Sequence, residues 1–221
     1  MEKSRLFQGI CYFGLVAFLV LAGCSSVHTV QNPSSRIRGK TRWTFAKKSI
    51  HFRVAAPTSL NRYHGRPHTL VIGIVQARNP NDLDALKTDP DGALELLSSG
   101  EGKPGHFSVL RYIVWPGADQ GIVLDRLRKT MYLGIIAGYS GYSERKDFVM
   151  LPVPVSVRKS GIIFKSRSYR PAPANLSIVL GRNHLVRVEP ASKKSDKTEK
   201  GKKERRKGSL SAPVQLIPPT N

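Results

Sequence analysis

An all-β, mainly antiparallel sandwich of about eight strands with a short helical insertion is the fold class that the 221-residue sequence predicts. Three observations carry that reading: short runs of alternating apolar and polar residues, turn formers between them at regular spacing, and one stretch where leucines switch to helical spacing. The first strand is expected over Ser49 to Ala56, with Ile50, Phe52 and Val54 on one face. A long loop, Pro57 to His68, is bounded by prolines and rich in Asn, Arg, Tyr and Gly; a second strand follows from Leu70 to Ala77. Asn81 to Leu97 then places Leu83, Leu86, Leu94 and Leu97 at near-helical spacing around Asp89-Pro90, so short helices are expected there, capped at Asn81/Asp82 and Asp89. Strands resume at Phe107 to Val114, Gly121 to Leu127, Tyr132 to Tyr139 and Phe148 to Val155, divided by turns such as Trp115-Pro116-Gly117 and Ser140-Gly141. Leu176 to Leu180 and His184 to Val188 flank Gly181-Arg182-Asn183 as a hairpin.

The two ends differ from this middle. Lys3 and Arg5 precede an apolar run from Ile10 to Leu21 that is too short for a comfortable membrane span and closes on small residues, the layout of a secretory signal over residues 1–23. Residues 24–42 are polar, with Asn32-Pro33-Ser34-Ser35, and read as a tether; 43–190 forms the sandwich domain. Residues 191–221 are dominated by Lys, Ser, Glu and Pro and read as a basic disordered tail. Nine Lys or Arg against three acidic residues fall between Lys193 and Lys207, part of a formal net charge of +21. For an exported chain this charge points to anionic lipid, lipopolysaccharide, cell-wall polymer or acidic protein, and not to nucleic acid.

Motifs for catalysis or metal binding do not hold together. Gly138-Tyr139-Ser140-Gly141-Tyr142 has Tyr where a nucleophile elbow needs its closing Gly, and a strand follows where a helix belongs. Ser143/Lys146 and Ser156/Lys159 have the Ser-x-x-Lys spacing, which such a Ser- and Lys-rich chain produces by chance, and neither lies in a predicted helix. His64 and His68 are four apart, yet Gly65 and Pro67 forbid a helix and no further ligand is near. The reading is therefore non-enzymatic, with no metal and no cofactor.

Leu21-Ala22-Gly23-Cys24 resembles the lipobox of bacterial lipoproteins, in which the cysteine is acylated and becomes the new N-terminus. Ser25 follows in place of the Asp that marks inner-membrane retention, so the resemblance implies an outer-membrane anchor at Cys24, facing the periplasm. Further stretches resemble, in order, the outer-membrane lipoproteins of the type VI secretion system (TssJ, SciN or VasD). These are Leu60-Asn61 and Gly65-Arg66-Pro67, the strand Leu70 to Gln76, the Asp- and Leu-rich insertion Asp82 to Leu97, the Trp115-Pro116-Gly117 turn, and Tyr132-Leu-Gly-Ile-Ile-Ala137-Gly-Tyr139. The resemblance implies a transthyretin-like sandwich that anchors the secretion membrane complex by docking onto the periplasmic C-terminal domain of the inner-membrane component, TssM. It assigns the contact to the loop between the first two strands, here Leu60, Asn61, Tyr63 and Arg66. The competing reading of that loop puts Leu60 in the core and leaves Gly65-Arg66-Pro67 as a turn. A second functional reading is an envelope lipoprotein that takes anionic cell-wall polymer or lipopolysaccharide, with Lys193–Lys207 as the contact.

Overall fold

The computed structural model describes residues 26–161 and 166–191, and the backbone of 215–217. Cys24, the segment 1–23 read as a signal, and Lys193–Lys207 lie outside the described residues. Two sheets face each other across the main core. One has the order β11-β10-β2-β5, built from β2 (Ala46–Ala55), β5 (Asp119–Arg126), β10 (Ala174–Leu180) and β11 (Leu185–Pro190). The other has the order β12-β4-β3-β6-β7, built from β3 (Leu70–Ala77), β4 (Phe107–Val114), β6 (Tyr132–Ala137), β7 (Phe148–Pro152) and β12 (Gln215–Ile217). Every pairing is antiparallel except β2 with β10. Ile50, Phe52 and Val54 meet Ile72, Ile74, Leu133 and Ile135 between the sheets, as the alternation of each strand requires.

The five-stranded sheet is covered on its other face too, which is why β6 is buried at every position and shows no period of two. Helices α2 (Pro80–Thr88) and α3 (Pro90–Ser99) lie there, and Leu83, Leu96 and Leu97 pack on Val75, Val109 and Ile136. Asp89 caps α3 as expected, accepting from the Gly92 N–H at 3.0 Å. The cap of α2 is Asn79 and not Asn81 or Asp82, because Pro80 occupies the first helical turn; Asp82 instead meets His106 Nδ1 at 2.9 Å. Buried Arg111 donates to the carbonyls of Leu97 and Ser98 at the C-terminal end of α3, fixing that end against β4.

The segment read as a tether is structured from Ser26. β1 (Ser26–Val30) pairs with β8 (Val155–Ser160), and β9 (Ser166–Pro171) completes a small third sheet. A helix, α1 (Ser35–Lys40), follows β1; Thr41 Oγ1 donates to the Ile37 carbonyl and Trp43 Nε1 to that of Arg38. Composition hid this sheet because it is held by main-chain pairing: four of the five β1 residues are exposed. β11 runs to Pro190, where the sandwich domain is expected to end, and Gln215–Ile217 adds to the edge of β4. What reads as one strand over Phe148 to Val155 is two, broken at Val153-Pro154; with β1, β9 and β12 also added, the described residues hold twelve strands where about eight were expected.

Gly73 faces the helical layer: a Cβ there would fall 2.6 Å from Leu97 Cδ2. Gly73→Val should therefore cost about 1–3 kcal/mol by overpacking. Urea unfolding should show a smaller penalty in a Leu97→Ala background, where the space has been vacated.

Candidate partner-docking site

One end of the sandwich is built from three connections. The first is the β2–β3 loop, Ala56 to Thr69. Its base is fixed by Ala56 N–H to the Ala118 carbonyl (2.8 Å) and Gly117 N–H to that of Pro57 (2.9 Å), so the Trp115-Pro116-Gly117 turn lies against it. Leu60 is fully buried in the main core. Asn61, nearly buried, donates from Nδ2 to the Thr69 carbonyl at 2.8 Å and accepts the Ser140 N–H on Oδ1 at 3.0 Å. Its φ of +45° is one that Asn tolerates better than most residues. Beyond this base the chain makes a two-residue turn in which Tyr63 and Arg66 exchange both backbone hydrogen bonds, at 2.9 and 3.0 Å. His64 and Gly65 between them both have positive φ, +46° and +77°, as a type I′ turn demands.

The proposed quartet therefore divides. Leu60 and Asn61 are the loop's foundation and offer no side-chain surface to a partner, which settles the choice for Leu60 in favour of the core. Tyr63 is 54% exposed and Arg66 is exposed at the turn. The Tyr63 ring stands edge-on to His64, with centroids 4.1 Å apart, and 6.2 Å from the His68 ring.

The second and third connections are the segment from Gly138 to Asp147 and the β10–β11 loop at Gly181 to His184. Sequence reasoning read both as turns and missed that they join the same surface. Arg62 N–H donates to the Arg182 carbonyl at 3.2 Å, and Tyr139 Oη donates to that of Gly181 at 3.0 Å. Asp147, at the end of the one-turn helix α4 (Glu144–Asp147), is completely buried. Its Oδ1 accepts the Leu185 N–H at 2.9 Å; its Oδ2 accepts the Ser143 N–H at 2.9 Å and lies 3.4 Å from His184 Nδ1. A single Asp after Arg-Lys gave no signal of this role. The exposed surface thus gathers Arg62, Tyr63, Arg66, Arg182 and Asn183, with three cations and no exposed carboxylate among these five residues.

The other candidates are placed as follows. Ser143 is the extended N-cap of α4 and Lys146 lies within that single turn, which Ser143 meets through its backbone. Ser156 and Lys159 lie three apart on β8 and so point to opposite faces. His64 and His68 flank Tyr63's ring, and among the described residues no three of His, Cys, Asp and Glu gather as a metal site.

Two tyrosines behind the surface are perturbed. Burial, opposed by the bond to the Gly181 carbonyl and reinforced by the charge of Asp147, raises the Tyr139 phenol well above its usual range. Burial, with the charges of Asp147 and Glu144, pushes Tyr142 up to about 12, and its buried hydroxyl has no hydrogen-bond partner among the described residues.

No family model and no curated protein matches the chain. Among solved structures it is similar to the type VI secretion lipoprotein TssJ1 from Pseudomonas aeruginosa, with 17% identity and a TM-score of 0.42 over 66% of this chain and 100% of that one. It is similar also to Serratia marcescens Lip, described as a membrane-bound component of the type VI secretion system, with 14% identity and a TM-score of 0.43 over 67% and 99%. A structure described as the C-terminal domain of the type VI protein TssM from EAEC matches with 14% identity and a TM-score of 0.44 over 64% and 98%.

Since Tyr142 holds its proton longer folded than unfolded, stability should fall as pH rises from about 10, where the unfolded phenol ionises, toward 12. Tyr142→Phe removes both the orphan hydroxyl and this titration. Denaturant midpoints across that window should then decline less steeply, with no loss of stability at neutral pH.

Proposed function

We propose that this chain is a non-enzymatic lipoprotein of the type VI secretion membrane complex, held at the outer membrane through acylated Cys24 and docking onto the periplasmic domain of a TssM-like inner-membrane protein. The observation that carries the reading is the construction of the β2–β3 loop. Leu60 and Asn61 are sunk into the domain, so the turn bearing Tyr63 and Arg66 stands on a base tied to the domain by burial and hydrogen bonds. Preorganisation of this kind reduces the ordering cost of association, and Tyr and Arg are the residue types that most often dominate such contacts. The three arginines around Tyr63 suit an acidic partner surface and would steer its approach.

The order of sequence motifs adds the lipobox and the class of assembly, and the topology is compatible with bridging. Ser26, two residues past Cys24, lies in the small sheet that leaves the sandwich at the opposite end, where the Val153 N–H meets the Met131 carbonyl beside the start of β6. The end that would face the membrane and the end that would meet the partner are thus separated by the length of β2, roughly 33 Å for ten residues.

Two measurements test the reading. The N-terminal peptide of the mature protein should carry a diacylglyceryl-modified and acylated Cys24 by mass spectrometry; an unprocessed N-terminus rules the anchor out. Wild type should retain a large inner-membrane protein from detergent-solubilised envelopes. Tyr63→Ala with Arg66→Ala should weaken that capture by about tenfold or more with stability unchanged. Leu60→Ala should instead cost about 2–5 kcal/mol of stability. Unchanged capture by the double variant sinks the docking site.

A further inference from the structure

At the end of the sandwich away from the docking loop, stretches distant in sequence enclose a cleft of ≈ 600 Å³. Lys40 and Arg42 come from the segment entering β2, Arg126 from the end of β5, and Arg167, Tyr169 and Arg170 from β9. The lining holds five Lys or Arg side chains and no carboxylate. Like charges gathered without a counter-charge repel, and the repulsion is relieved when an anion enters.

Arg126 gives the cleft its direction. The residue is only 3% exposed, and its Nη2 donates to the Thr44 carbonyl at 3.0 Å. Its Nε is buried and has no hydrogen-bond partner among the described residues. Guanidinium groups cannot shed their charge in a protein and match phosphate oxygens in shape, so an unfilled Arg donor in a basic cleft points to a phosphate group.

The location points to where that phosphate comes from. In the small sheet Ser26 pairs with Lys159, and Lys159 with Arg167, so the three form one row roughly 10 Å long. Ser26 is two residues from Cys24, and Arg167 lines the cleft. We propose that this cleft binds the phosphate of an anionic lipid headgroup in the membrane that holds Cys24, with Arg126 as the one buried cation of its lining. The choice of lipid as the source rests on the acyl-anchor reading. A headgroup in the cleft would give the domain a second attachment beside its acyl chains and fix which end points away from the bilayer.

The chain from Cys24 onward with Cys24→Ser keeps every described residue and carries no acyl group. It should bind vesicles of phosphatidylglycerol and phosphatidylcholine in equal parts, and not vesicles of phosphatidylcholine alone. Combining Arg42→Gln, Arg167→Gln and Arg170→Gln should weaken binding by more than about tenfold, since each basic residue at an anionic surface contributes on the order of a factor of five. Arg78→Gln, Lys87→Gln and Lys103→Gln, which remove the same charge elsewhere, should weaken it by less than about threefold. Circular dichroism confirms that both triple variants are folded. Equal losses for the two variants would overturn the cleft and leave only general attraction to the positive chain. Saturable binding of glycerol phosphate or inorganic phosphate without any preference for the anionic vesicles would overturn the lipid assignment in favour of a soluble ligand. An unacylated Cys24 in the cell would remove the anchor reading without altering the vesicle result, so the two failures are separable.

Discussion

The carboxylate of Asp147 ties the sandwich shut at the end that carries the β2–β3 loop. It sits in the connection between two strands of the five-stranded sheet, yet it accepts the N–H of Leu185, which begins β11 on the facing sheet. Its other oxygen takes the N–H of Ser143 and lies beside His184, so one buried charge holds α4 and the β10–β11 loop together. A buried carboxylate is tolerable only when its oxygens are satisfied in this way, and that requirement makes the geometry strict. The position of the arginines depends on it: Arg182 belongs to the loop that Asp147 orders, and its carbonyl receives the N–H of Arg62.

A polar side chain performs a comparable task at the other end. Gln76 is buried on β3; its Nε2 donates to the Asp125 carbonyl at 2.9 Å, and its Oε1 accepts from the Leu127 N–H and the Thr130 hydroxyl. The two sheets are therefore linked by hydrogen bonds at both ends of a core that is otherwise apolar. Burial of this kind adds little net energy but leaves few alternative ways for the sheets to slide over each other, because a shifted register would strand these groups without partners.

Much of the sandwich was legible from short apolar or alternating runs divided by turn formers. Leu70–Ala77 and Phe107–Val114 fall where those runs end, and the leucine spacing marked both helices. β1 and β9 were not legible: Ser166–Pro171 is polar and largely exposed, and such strands are specified by the neighbour they pair with. The β7–β8 break was missed because Val153 is buried and apolar and so continues the pattern, although Pro154 interrupts it. In the β2–β3 loop, residue type singled out Tyr63 and Arg66, both exposed, but nothing local distinguished Leu60 as core. That depends on the 3D path of the chain, which returns Leu60 beneath the sheet's end. The same holds for Arg126 and Arg167, 41 positions apart and on different sheets, which only the tertiary structure brings to one cleft.

The pairing of β1 with β8 joins Ser26 to a residue more than a hundred positions later in the chain. Contacts of that separation form late, because the entropy of closing so long a loop must be offset by structure already in place. Because synthesis runs from the N-terminus, β1 emerges first and must wait for its partner strand to follow. If Cys24 is acylated at that stage, the chain folds with one end already fixed to a surface, and β1 becomes the last strand to close, pulling the finished domain toward the bilayer.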